Sequence, residues 1–502
     1  PRDQHPREHA GQHDLYRVVG QEHHHPAHKD LPRRQALAEI ADDLSSANIQ
    51  LPAELLRLGN IHWQGDAEYG TRRLSADGML TTDAGRLKLQ AETHDQAFSG
   101  QVEATEVDMG RLLDNELFGM LSAHLTAQGS WPLGDELSVK GEITDFDVKS
   151  YRFNNLSIDG RLLNKTMEGH FSLDDPNAQL DFDGTIDLSA QEPAVVAQAT
   201  VRRFNPNAVG LTRQYPDTFF EADMEADLKG SSLNNANGSL LIKQFSMAGP
   251  DHHYQLDRLV VDATSEGADR SLAIDSDFGQ VALRGRYDYS TLSESIIHFL
   301  SQKLPMLPGL PKVQPSGNNS FALHADIRRS DWLQAFFDVP LSLDKPLVID
   351  GTINDYNKQM FVDILAPYFF YNGSPYENVV TSVTTNGNGQ LEAQTSLTKL
   401  MDNGRKLDVQ VEAQAGSNEI VSAITWDDHQ QRPMKGRLLS TTELFRNERG
   451  EQTAHIRVHP SEIQMGDTAW QVEPSDILYS KNNLVVDYFA VAHRSEEHTS
   501  EL

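Results

Sequence analysis

The side chains in this sequence best able to do chemistry are its histidines and carboxylates. His5-Pro6-Arg7-Glu8-His9 matches the H-x-x-E-H pattern of zinc enzymes, and His23-His24-His25 with His28 follow it. Zinc chemistry of that kind needs both histidines on one ordered helix. Pro6 interrupts the motif, and residues 1–34, rich in His, Arg, Pro and Gln, have neither helical nor strand periodicity. The match is therefore read as chance, and residues 1–46 as a disordered or non-native segment.

Farther along, Glu221, Asp223, Glu225 and Asp227 form a row of carboxylates suited to acid–base work or to calcium. They alternate with Phe220, Ala222, Met224, Ala226 and Leu228, which is what a strand with one wet and one dry face produces. His252-His253, the only adjacent histidines after the first thirty residues, follow Pro250 in a turn. There is no EF-hand loop, G-G-x-G-x-D repeat, Walker A loop, Rossmann fingerprint, G-x-S-x-G elbow or H-E-x-x-H helix. Nothing predicts titratable groups converging in a cleft, so the reading is a non-enzymatic protein with no catalytic residue, no cofactor and no metal.

The elements carrying these residues are strands. In Ala178–Leu188, Leu180, Phe182, Ile186 and Leu188 share one parity and Asp181, Asp183, Thr185 and Asp187 the other. Gly184 sits at the centre of the apolar parity. The same placement recurs at Gly129, Gly141, Gly230, Gly285 and Gly351. Strands whose dry face is interrupted by glycine can curl about that face. The expected fold is all-β: an elongated antiparallel β-sheet curled into a taco-like hydrophobic groove, with a few short amphipathic helices.

Turns are expected at Asn154-Asn155, Asp159-Gly160 and Asp174-Asp175-Pro176-Asn177. A short helix or turn is expected within Val107–Leu121, and one helical turn at Pro206–Gly210 behind Asn205. Leu292–Leu304 reads as an amphipathic helix with a Thr291/Glu294 capping box, stopped by Pro305 and packed against the sheet as a plug. Asp331–Phe337 reads as a second short helix with Ser330 as its N-cap. The resulting segments are 47–289 as a first β-groove, 290–345 as a helical, Pro-rich insertion, and 346–493 as a second β-groove.

Composition narrows the function. The formal net charge of -30 and pI near 5.0 argue against a nucleic-acid binder and against docking on anionic headgroups. Hydrophobic residues make up 38% of the chain and mean hydropathy is -0.50, which suits an elongated structure with one dry face. The absence of cysteine excludes disulfides and thiolate metal sites. No stretch approaches the roughly 18 apolar residues of a membrane-spanning helix. With no initiating Met or signal-peptide core, the chain reads as an internal fragment.

The glycine-bearing strands, the segment TLSESIIHFLSQKLP, the unit DWLQAFFDVPLSLDKPLVIDGTIND and the stretch MGDTAWQVEPSDILYSKNNLVVDYFAVAH together resemble the TamB branch of the AsmA-like, bridge-like lipid-transfer superfamily of bacterial envelopes. The resemblance covers about Ala47–His493. It implies a periplasm-spanning groove that carries phospholipid toward the outer membrane, assists outer-membrane protein assembly, or both. Phospholipid acyl chains are then the cargo, an outer-membrane β-barrel assembly protein is a candidate partner, and an inner-membrane anchor is expected on a missing N-terminal part. Residues 494–502 (RSEEHTSEL) resemble read-through of a sequencing adapter.

On this reading the groove lining includes Ile143, Phe171, Leu180, Phe182, Ile186 and Leu188, then Met224, Leu228, Leu283 and Ile349. Some 30 strands at ~4.8 Å would extend on the order of 140 Å if continuous. An ordinary sandwich core would show the same alternation. The alternatives in function are a secreted β-solenoid adhesin or passenger and a polysaccharide-degrading β-solenoid. Both require rungs of constant length, and the strand spacing here is uneven.

Overall fold

Period-two alternation becomes strand wherever it occurs. The computed structural model describes residues 16–18, 57–70, 72–130, 136–250, 253–308, 319–401, 404–481 and 483–493, which form 31 strands and three short α-helices. The sheet is antiparallel and is not closed into a barrel, as expected. The zinc-like motif, the other early histidines and residues 494–502 lie outside the described residues. Tyr16–Val18, inside the segment expected to be disordered, instead pair with Ala67–Tyr69 as a three-residue strand.

The chain divides into two units, Pro1–Asp227 with Phe245–His253, and Leu228–Gln244 with Tyr254–Leu502. The division falls inside the expected first β segment. In the first unit, ten strands from Ile61–Gly70 to Ala194–Phe204 follow one another, each paired with the next. The turns differ from expectation, because Asn154, Asn155, Asp159 and Gly160 all lie within one strand, Tyr151–Leu163. Asn155 takes a left-handed conformation (φ 57°) that bends this strand, and Gly160 faces Gly169 across it. The chain reverses at Pro176-Asn177, where a turn was expected.

Helix α1, Met109–Leu113, is the short helix anticipated in that region, and the Asp108 carboxylate caps it by accepting from the Arg111 amide at 2.9 Å. It covers a cluster of Ala104, Val107 and Ala123. Residues 206–210 form turns rather than a regular helix, with the Asn205 side chain accepting from the Ala208 amide at 3.0 Å. Val209 from this turn packs on Leu173 and Ala178.

In the second unit, helix α2, Leu292–Lys303, lies against the sheet: Phe299, 1% exposed, packs among Ile353, Met360 and Leu391. The expected capping box does not form. Thr291 Oγ1 donates to the Asp288 carbonyl and accepts from Asn319 Nδ2 instead, tying the helix start to the strand beginning at Ser320. That strand, Ser320–Ile327, lies inside the expected insertion and pairs with Gly279–Arg286 and Leu347–Asn354. Ser330 precedes helix α3, Asp331–Phe337, without capping it; its hydroxyl donates to the Leu341 carbonyl and accepts from the Leu343 amide.

After Met434–Arg446, successive strands break at matched points, His459-Pro460, Glu473-Pro474 and 487–490. Proline supplies no N–H to the ladder, so the strands at Pro460 and Pro474 bend there and resume; 487–490 contains no proline. The strand Asn483–Val486, ahead of the third break, is exposed on both faces.

Candidate functional site

In the first unit the strand registers align the inward residues into rows that run across the sheet. One row consists of small residues: Ala67 faces Ala76, then follow Ala91, Gly100 and Ala127. It continues through Val139, Gly160, Gly169, Gly184 and Ala197. Opposed Cβ atoms in a flat antiparallel pair are about 4.5–5.5 Å apart. A Cβ at Gly184 would lie 2.7 Å from that of Ala197, and one at Gly169 would lie 2.8 Å from the Gly160 Cα. The strands therefore converge on this face, and the small row is the line along which the sheet curls.

Larger apolar side chains flank that line on both sides. One flank runs through Leu89, Val102, Leu125, Ile158, Phe171 and Phe182, with the last two rings stacked at 4.6 Å. The other runs through Leu137, Leu162, Met167 and Ile186. A fourth row, Ala104, Ala123, Ile143, Leu156, Leu173 and Leu180, lies beyond the first flank. Helix α1 and the 205–210 turn cover it. Among the described side chains of these rows, only Ala104, Ala123 and Leu173 are fully buried, all at that covered margin. The rest of the face is half-buried apart from Ala91 and, at the opposite margin, Met167, which are exposed, the latter by 46%.

The outer face is polar. Arg202 lies 2.6 Å from Asp181, whose carboxyl is held below its usual range by the Ser172 hydroxyl and by that guanidinium. Lys140 pairs with Asp159 at 2.6 Å. Exposed pairs of this type contribute about 0–1 kcal/mol each, so they define the wet face more than they hold the sheet. The carboxylates of 221–227 behave alike: Glu221, Glu225 and Asp227 are exposed, and Asp223 accepts from Thr200 Oγ1 at 2.9 Å. Among the described residues, no three histidine or carboxylate side chains are placed to share a metal ion.

Of the residues anticipated as lining, Ile143, Phe171, Leu180, Phe182 and Ile186 share the curled face of the first unit and are half-buried. Leu188 does not belong with them; the strand ends at Asp187, and Leu188 is 48% exposed. Met224 and Leu228 lie half-buried on one face of the strand Phe219–Lys229. In the second unit Ile349 is half-buried in a row with Ala325 and Ile364. Leu283 pairs with Leu323 but is fully buried, so it is core and presents no surface.

Helix α2 was anticipated as a plug, and its position is more specific. It covers only the row containing Ile353, Met360 and Leu391, at one end of the strands. At their other end Leu397, Val409 and Trp426 face one another beyond the helix's contacts. In the second unit helix α2 covers one set of strand ends, and helix α3 packs at the other, with Trp332 against Phe278 and Phe336 against Tyr254. The small-residue row was missed because register, which aligns the glycines, is not a property of any single strand.

These features define an all-β protein with a curled, half-buried apolar face. Comparison with protein-family models, with curated proteins and with solved structures finds no match.

Proposed function

We propose that this chain is part of a non-enzymatic envelope protein that carries phospholipid acyl chains along its curled apolar face toward the outer membrane. One observation carries the reading: across ten strands of the first unit, the inward apolar rows are half-buried, with full burial confined to the covered margin. A sandwich core would bury them from both sides. A face of this kind gains about 0.8 kcal/mol for each CH₂ it removes from water, at every point along the rows. The acyl chains of one leaflet reach about 15 Å, half the hydrocarbon thickness. Ten strands extend the face over about 43 Å, so chains have room to slide.

The test is lipid content. The chain, produced in a bacterial envelope and purified without added lipid, is extracted and its phospholipid measured by mass spectrometry, beside Phe182→Asp and Leu228→Asp variants. Near-stoichiometric phospholipid that falls in variants with parental circular dichroism is the expected result. A folded parent without lipid would assign the apolar face to packing and refute the proposal.

A further inference from the structure

We propose that Lys399 binds the phosphate of a phospholipid whose acyl chains lie on the inward face of the second unit. The inference rests on the acyl-chain reading above and adds where on that face the headgroup is held.

Register puts the charge on the same face as the chains. In the strand Leu391–Leu400, positions 391, 393, 395, 397 and 399 point to one side. Leu391 packs beneath helix α2 and Leu397 faces Val409, whereas Thr398 and its partner Asp408 point outward. Lys399 faces Leu407 on one neighbouring strand and Tyr376 on the other. Asn378, in a left-handed conformation (φ 53°), marks the bulge between Glu377 and Val380 that brings Tyr376 to the inward side. Among the described residues of the six strands from Leu347–Asn354 to Glu419–Asp427, Lys399 is the only charged side chain at an inward position.

Its surroundings leave that charge unanswered. The ammonium of half-buried Lys399 lies 6.0 Å from the centre of the Tyr376 ring, which stacks on Phe369 at 5.4 Å. A ring face attracts a cation without neutralising it. Among the described residues no carboxylate forms an ion pair with Lys399: Glu377 pairs with Lys406 at 2.6 Å, and Asp408 is engaged by Thr398 and His429, both carboxylates on the outer side. The chain carries 73 acidic residues against 43 lysines and arginines, yet brings none of them to this ammonium. A lipid phosphate supplies the missing anion as a charge-assisted partner.

Dimensions agree. Lys399 is eight residues along the strand from Leu391, about 27 Å at ~3.4 Å per residue. Acyl chains of about 15 Å running back from Lys399 pass over Leu397 and end short of the row that helix α2 covers. Helix α3 lies on earlier strands, against Tyr254, Phe278 and Leu341. Tyrosine, tryptophan and lysine, each with an apolar body and a polar tip, suit such a boundary, and Tyr376, Trp426 and Lys399 occupy it.

The experiment titrates the full chain with dihexanoyl phosphatidylcholine and with dihexanoylglycerol, which has the same chains and no phosphate. Both ligands are uncharged overall, so the net charge of -30 acts on them alike. Binding is read at the Trp426 indole N–H signal by NMR, assigned with Trp426→Phe. Lys399→Met, which keeps the apolar stem, is expected to weaken the phospholipid about tenfold, the equivalent of one charge-assisted contact, and to leave dihexanoylglycerol within about twofold. Lys399→Arg should retain phospholipid binding. Lys435→Met, an exposed lysine on the outer side, should change neither ligand. Lys399→Gln serves if Lys399→Met fails to fold by circular dichroism.

An unchanged phospholipid affinity in Lys399→Met, equal weakening of both ligands, or an equal effect of Lys435→Met would overturn the proposal while leaving the acyl-chain reading intact. Inorganic phosphate binding as tightly as the phospholipid would make this a phosphate site and overturn it as well. No binding of either lipid would end both.

Discussion

Gly184 and Ala197 stand opposite each other on neighbouring strands, so close that a Cβ at position 184 would lie 2.7 Å from the Ala197 Cβ and 2.9 Å from the Val196 carbonyl oxygen. Curvature in the first unit depends on side chains that are missing. Gly184→Val is therefore expected to destabilise that unit by about 1–3 kcal/mol, the usual cost of overpacking. Gly160, in the same row, is the control, because the nearest atom to its added Cβ is the Glu168 oxygen at 3.7 Å. Gly160→Ala should be neutral or stabilising by about 0.5 kcal/mol, through the unfolded chain. Urea unfolding of both variants checks the pair, and equal losses would refute the curl line.

Helix α2 should depend on one residue. Phe299→Ala removes a ring packed on Ile353, Met360 and Leu391 and is expected to cost about 3–5 kcal/mol. Ile296, 47% exposed on the same helix, should cost less than about 1 kcal/mol when truncated to alanine. Hydrogen exchange across 292–303 separates the two outcomes: fast exchange in Phe299→Ala only.

Asp175 is fully buried and accepts from the Tyr151 hydroxyl, the Asn177 amide, and both the amide and the side chain of Asn154. Asp175→Ala strands all these donors and should cost more than about 2 kcal/mol, whereas Tyr151→Phe loses the bond to Asp175 and the one accepted from Asn177 Nδ2 and should cost less, about 1–2 kcal/mol. Denaturant midpoints give the ranking; the reverse order would mean that the Tyr151 hydroxyl, not the carboxylate, holds this corner.

Alkaline pH should weaken the second unit. Burial pushes the Tyr254 phenol up to about 12, and burial with the Tyr289 hydroxyl raises Tyr287 as well. An unfolded tyrosine titrates near 10, so each phenol binds its proton more tightly when folded. The stability they contribute is complete below about pH 10 and is lost as pH rises toward the folded values. Tyr254→Phe should flatten the fall in unfolding midpoint over that range, followed with tyrosinate absorbance. An unchanged slope would exclude Tyr254 as a source.

What was legible in the sequence is what a strand or helix decides by itself. Alternation from Phe220 to Leu228 marked a strand, which runs over Phe219–Lys229, and assigned Phe182, Phe171 and Ile143 to the apolar face, because side-chain parity is local. The spacing of Leu292, Ile296, Phe299 and Leu300 was sufficient to mark a helix that packs on the sheet.

Tertiary structure decided the rest, because it depends on which residues meet. Asp159-Gly160 looks like a turn from its own composition, yet the registers with Val139 and Gly169 carry it through mid-strand. Thr291 and Ser330 look like caps, but each hydroxyl found a partner on another element. The small-residue row exists only after the registers are set, since a shift of one residue would turn every glycine to the opposite face. The sequence by itself determined which face of each strand is dry; cross-strand register determined that those of the first unit form one curled surface.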